Sequence, residues 1–506
     1  MFDGEVEVNN GVITGITPRH DIPGNAPYWM PGFIDSHVHI ESSMMVPAEF
    51  ARVAVEQGTI GVVADPHEIG NVLGNEGIDF MIANGRHIRF NFCFGAPSCV
   101  PSCGTDIETS GARLDSGDIS ELMHRDDIGF LGEMMNYPGV LADDAETLAK
   151  IEAALTCGKP VDGHAPGLHG QQRQKYAQTG ISTDHECSTL EEARACIEAG
   201  MMVQIREGSA AKNYEALIPL LNEHPDRIMF CTDDCHPDDL IRGHINRIVG
   251  RALADGYNLW DVLTAVCVNP QRHYHLSWGL LQKGDAANFI SVDNLTPHFR
   301  VLSTVVKGKE VYNCNSYLST IQSQSKSINN QMAILDNYPN RFVAIPITAD
   351  DIRMTLNGGD TAHIIRAYDG SLLTKHDEVK VTGNPLIDMH YPWNEVQKIV
   401  VYMIPFFLVI PNIAIALLNS MTFIVPANAS AENTQLIKEL YGSMGEVIIT
   451  DEKHLAAGTT LASCGIAYAM RYVRAASEGG VEIGFKADED QARKYHNVSE
   501  RRRNHQ

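Results

Sequence analysis

Positive charge is what this chain has least of. Its 506 residues carry 39 Lys and Arg against 63 Asp and Glu, a formal net charge of -24. Such a balance repels phosphate backbones and anionic headgroups, so neither nucleic acid nor an anionic membrane surface is expected as a partner. The short run Arg501-Arg502-Arg503 does not reverse it. A disulfide or zinc-ribbon framework is also lacking: the 11 cysteines are odd in number and show no ribbon spacing. They suit a reducing compartment, and a cytoplasmic location is expected. The N-terminus has no basic-then-apolar signal pattern, and no tract is of low complexity. What remains is an ordinary globular composition, 44% hydrophobic and 20% charged, long enough for roughly two or three domains.

The chain is organised around Pro31-Gly32-Phe33-Ile34-Asp35-Ser36-His37-Val38-His39. An apolar run with a Pro-Gly entry reads as a buried strand. His37 and His39 are two apart, so on a strand they point to one face and can share a metal ion. Taken alone, such a pair is as readily two solvated loop histidines. The pattern downstream decides between them.

Seven further apolar runs end in chemically active residues, each followed by a helix-like segment. They are Ile60–Glu68, Phe90–Gly95, Ile128–Glu133, Pro160–His164, Ile181–Glu186, Met201–Glu207 and Ile228–Asp234. Helical periodicity lies between them, as at Glu146–Leu155 and Thr189–Ala199. Eight strand-helix units predict an α/β fold of the (β/α)8, TIM-like barrel type, whose chemistry sits at the C-terminal strand ends. A doubly wound sheet would gather its chemistry at one crevice instead.

Four imidazoles stand at those ends: His37, His39, His164 and His185. Glu133, Asp233 and Asp234 add carboxylates. The set suffices for two divalent ions, with Glu133 placed to bridge them. Mixed nitrogen and oxygen ligation suits zinc, iron or manganese. Two such ions would hold a bridging water and lower its pKa, and a nearby carboxylate would take and return its proton. Asp233 or Asp234 is the first candidate for that role. Glu186 is the second, with a helix N-terminal carboxylate as its alternative reading. Asp65, His67, Arg206, Glu207 and Ser209 extend the polar rim and are expected to contact substrate.

The flanks predict a small β-sandwich domain from residues 1–28 and 280–318, around a barrel of 29–279. An additional C-terminal α+β domain is expected over 319–506. Residues Ile399 to Pro426 carry no charge, which by length makes them a membrane-span candidate. Pro405, Pro411, Asn412 and Asn419 interrupt the run and no basic cluster flanks it. Buried strands and a core helix are expected there rather than a membrane segment.

Pro31 to His39 resembles the first-strand signature of the amidohydrolase superfamily. The longer set is similar to one branch, the prokaryotic adenine deaminases. It runs through His39-Ile40-Glu41-Ser42-Ser43-Met44, Ala64-Asp65-Pro66-His67-Glu68-Ile69, Gly132-Glu133-Met134-Met135-Asn136-Tyr137-Pro138-Gly139, Asp162-Gly163-His164-Ala165-Pro166, Asp184-His185-Glu186, Arg206-Glu207-Gly208-Ser209 and Cys231-Thr232-Asp233-Asp234. The resemblance implies hydrolysis of adenine to hypoxanthine and ammonia at a binuclear centre, most often with Mn2+ or Fe2+, Zn2+ being an alternative. His37, His39, Glu133, His164, His185 and Asp233 would be the ligands, and Glu41 would join the substrate contacts. The Pro-Cys-x-x-Cys signature of zinc nucleobase deaminases is absent. So is a lysine at the Glu133 strand end, where hydantoinase-like relatives carry a carboxylated one. The match extends to about Tyr402, after which the branch's Ala-His-Asp-Ser-His-Asn stretch has no counterpart. Rival readings are another amidohydrolase of cyclic amides or other nucleobases, and an inactive homologue. A symmetric homo-oligomer is expected for a large enzyme of this kind.

Overall fold

The computed structural model describes residues 1–315 except 22, 25, 103–107 and 109, and then 358–368, 371–381, 398–400, 406–410, 420–427, 434–435, 438 and 445–449. The chain divides into two compact units, Met1–Val343 with Asp369–Leu372, and Ala344–Tyr368 with Leu373–Gln506.

Two strands, β1 (Gly4–Asn9) and β2 (Val12–Pro18), open the first unit as an antiparallel hairpin. Asn10 and Gly11 both take positive φ at the turn, the conformation that suits a tight hairpin and that Asn-Gly supplies. After β3 (Tyr28–Pro31) comes β4 (Phe33–His39), in which all seven residues are buried. Burial on both faces is what a strand needs inside a parallel sheet covered by helices.

From β4 the chain lays down parallel neighbours in order: β5 (Thr59–Ala64), β6 (Asn91–Ala96), β7 (Ile128–Met134) and β8 (Val161–Gly163). A parallel bridge from Val161 to Ile181 carries the order on to β9 (Thr183–Asp184), β10 (Met202–Arg206) and β11 (Ile228–Cys231). The last strand, β12 (Asp233–Asp234), pairs in parallel with β4 and closes the ring. This is an α/β, TIM-like barrel. The periodic segments form the helices Ala145–Thr156 and Leu190–Glu198. Asp144 caps the first by accepting from the Thr147 amide, and Thr189 with Glu192 forms a capping box on the second, so each first turn has a local acceptor for an amide the helix leaves unpaired.

The N-terminal end of the barrel is filled by Val63, Cys93, Phe130, Met202 and Met229, closed by Tyr274 with Trp278 against them. Beyond it, β13 (Phe289–Val292), β14 (Val301–Val306) and β15 (Lys309–Asn313) form an antiparallel sheet with β3 in the order β15-β14-β13-β3. The β1–β2 hairpin meets this region through a Val12–Ala286 bridge and the packing of Ile13 on Ala287 and Phe289. Both flanks of the barrel thus come together in space.

After the barrel's flank, β16 (Thr361–Tyr368), β17 (Ser371–Lys380) and β18 (Lys398–Val400) form a sheet in the order β17-β16-β18. Another holds β19 (Phe406–Ile410), β20 (Ser420–Ala427) and β21 (Gly445–Ile449), with β20 central. The uncharged run therefore contributes strand residues at 399–400, 406–410 and 420–426. The core helix expected within it would fall on positions outside the described residues. Among the described residues no helix is long and apolar enough to cross a membrane.

Candidate metal centre

His37 and His39 on β4 are two apart, point to one face and are both buried. A register shift between Asp35 and Val38 interrupts the alternation before them, and Asp35 meets His244 instead. The other strand ends converge on the same spot. Glu133, from β7, is the centre: one carboxylate oxygen lies 3.3 Å from His39 Nε2, and the other 3.1 Å from His185 Nε2 and 2.6 Å from His164 Nδ1. Asp233 Oδ1 lies 3.0 Å from His39 Nε2 and 3.7 Å from His37 Nε2. Asp233 has a left-handed backbone with φ of 58°. A non-glycine residue there is uncommon and marks a position the surroundings enforce.

The donor chemistry fits cations. Neither ring nitrogen of His37 or of His185 makes a hydrogen bond, although both side chains are almost wholly buried. Buried polar atoms are normally paired. Of these four nitrogens, His37 Nε2 and His185 Nε2 face the carboxylates of Glu133 and Asp233, as ligand atoms do around an ion. The groups His37, Glu133, His185 and His37, His39, Asp233 each gather ligand atoms within 4.8 Å. The titration shifts agree. Burial works against charge on Glu133, yet His164, His185 and His39 outweigh it and hold its carboxyl well below the usual range. His185 is raised to about 9, with burial opposing and Glu133 prevailing. His37 moves the other way: burial, with His185 and His39 beside it, holds its imidazole well below the usual range.

The remaining candidates separate. Asp65 accepts from the Glu133 backbone amide at 2.9 Å, and so fixes the residue at the centre. His67 Nδ1 lies 3.3 Å from Glu133 Oε1, and His39, His67 and Glu133 form a further group that could hold an ion. Glu186 and Asp233 are both held by Arg206 Nη1 at 2.5 Å. Glu41 is half-buried and accepts from the Ile69 amide at 3.2 Å. Burial and the neighbouring Glu68 push its carboxyl up to about 7. Asp234 accepts from Ser42. The structure does not bring Glu207 or Ser209 to the cluster: Glu207 accepts from Arg251 at 3.0 Å, and Ser209 donates to Asp239 at 2.6 Å.

Sequence reasoning missed the residues behind the ligands. Asp162 accepts from Tyr274 and Thr183 and lies 4.0 Å from His37 Nδ1. Asp35 lies 2.9 Å from His244 Nε2 and accepts from the Thr232 amide. A signal existed for Asp162, which precedes His164 by two positions; for Asp35 the register shift before Val38 breaks that spacing rule.

One glycine is fixed by the site. A Cβ on Gly132 would stand 2.3 Å from Asp65 Oδ2, the oxygen that holds the Glu133 amide. Gly132→Ala is expected to cost about 1–3 kcal/mol of stability through overpacking and to lower metal content. Denaturant unfolding and metal analysis of the purified variant would check both.

The model of the amidohydrolase family matches residues 28–311. A curated adenine deaminase from Salinibacter ruber is 48% identical over 396 residues, covering 78% of this chain and 69% of its own length. One from Methanosarcina mazei is 44% identical over 407 residues, covering 79% and 71%. One from Parabacteroides distasonis is 52% identical over 311 residues, covering 62% of this chain and 56% of its own.

Proposed function

The chain belongs to the amidohydrolase family, and from that premise we propose that it hydrolyses adenine to hypoxanthine and ammonia. The observation that carries the reading is the convergence of His37, His39, Glu133, His185 and Asp233 on one buried point, in a chain 48% identical to an adenine deaminase. His37, His39, Glu133, His164, His185 and Asp233 would hold two divalent ions, manganese or iron(II) being favoured over zinc. Such ions supply Lewis acidity and a nucleophilic oxygen at neutral pH.

The protein's own residues do the rest. Water adds to C6 of the purine, N1 takes a proton, and the C6–N bond breaks to release ammonia. Glu186 is assigned to move the proton, because Arg206 fixes its carboxylate 3.5 Å from His185 and 3.8 Å from His164. The same guanidinium orients Asp233, which we assign as ligand in preference to Asp234. Asp65 and His67 act next to the centre, and Glu41 is left to meet the substrate. A place in purine salvage, a cytoplasmic location and a homo-oligomeric state complete the proposal.

The test is loss of adenine absorbance with full-length protein loaded separately with manganese, iron(II) and zinc. Turnover is expected with at least one metal, and chelation should remove it. Metal-loaded protein that leaves adenine unchanged but opens a cyclic amide, or deaminates another base, would replace this reading.

A further inference from the structure

Two imidazoles and a carboxylate face one another on neighbouring strands of the sheet β17-β16-β18. His376 and Glu378 are two apart on β17, so they share a face. His363 projects toward them from β16. Its Nδ1 lies 2.8 Å from His376 Nε2 and 3.8 Å from Glu378 Oε1. The two rings stack at 5.0 Å with 21° between their planes. His363 and Glu378 are exposed, at 66% and 62% of their side-chain surface. The cations nearby are engaged elsewhere, Arg366 with Asp377 at 2.5 Å and Lys380 with Thr361 at 2.6 Å.

We propose that His363, His376 and Glu378 form a second, surface metal site that clips β16 to β17. Two neutral imidazole nitrogens turned toward each other can share only one proton between them. An ion replaces that proton once the donating ring moves its hydrogen to its other nitrogen, so no net proton is released. Zinc–nitrogen bonds of about 2.0–2.1 Å in tetrahedral array require the nitrogens to part by roughly half an ångström. Exposed side chains permit that shift. Two nitrogens and one carboxylate oxygen, with water completing the shell, suit zinc, copper(II) or nickel(II) rather than calcium or magnesium.

The site makes no use of the barrel ligands, and its test is arranged to show that. Full-length protein is equilibrated with micromolar zinc and the bound zinc per chain is counted. His363→Ala/His376→Ala is expected to hold one ion fewer than the unsubstituted chain. The same loss of one ion is expected when the pair is introduced into Glu133→Gln protein, whatever the substrate of the barrel proves to be. Equal zinc with and without the two histidines would overturn the proposal. Should the double variant fail to fold, His376→Asn keeps a hydrogen-bonding side chain and removes the imidazole. It too should lose the ion, and retention would overturn the site.

Discussion

Glu133→Gln is expected to reduce adenine turnover on the order of 10²–10³-fold or more, the range seen when a group that stabilises developing charge is removed. The purified variant should also carry fewer ions per chain. Both effects follow from one position. The Glu133 carboxylate oxygens reach His39, His164, His185 and His67 within 3.3 Å. An amide of the same shape keeps one acceptor and loses the charge. Its nitrogen would donate where the imidazoles also need an acceptor or an ion. Substitution is nearly isosteric, so the fold should persist and circular dichroism should match the parent. Unchanged activity would show that Glu133 does not bridge. Lost activity with full metal content would move its role from ligation to proton transfer.

The second large effect is on stability. Arg173 lies on the helix Gly170–Gln178 and is 1% exposed. Its guanidinium binds the Asp184 carboxylate and donates to the Ala165 carbonyl at 3.0 Å. Asp184 in turn accepts from the Glu186 amide at 2.7 Å. Arg173→Met would leave that carboxylate buried without its partner. Breaking a buried pair on one side costs about 3–5 kcal/mol, and denaturant titration should show a loss of that size. Replacing both members, as Arg173→Met/Asp184→Leu, removes the stranded charge and should recover part of it. A single variant as stable as the parent would mean the pair contributes little. Activity gives a second reading, because Asp184 holds the turn that presents His185 and Glu186.

Where the sequence was legible, a short period and a chemical clue coincided. His37 and His39 on one face, and single polar residues closing apolar runs, marked the strand ends without any knowledge of packing. For His67 the sequence shows a polar cluster after β5 but gives no sign that the turn there brings its ring centroid 4.3 Å from that of His39. Glu207 and Ser209 stood in the right motif, but Arg251 and Asp239, which hold them, arrive later in the chain. The Asp35–His244 contact joins distant segments and leaves no local trace. In 399–426 uncharged composition alone did not separate strand from helix, whereas pairing with β16 and β21 shows strands at β18 and β20.

The closure of the ring between β12 and β4 sets an order of events during synthesis. Ser36 bonds to the Phe230 carbonyl across 194 residues of chain, and Asp233 must meet His37 and His39 across a similar span. By loop-closure entropy alone, bringing such distant ends together costs roughly 5 kcal/mol. Until the ribosome has released β12, the histidines of β4 have no carboxylate from Asp233 beside them. The nascent barrel therefore spends most of its translation as an open sheet with an unpaired β4 edge, the condition in which chains pair wrongly with one another. An ion held by Asp233 together with these histidines would be captured only after closure, and would favour closure over aggregation.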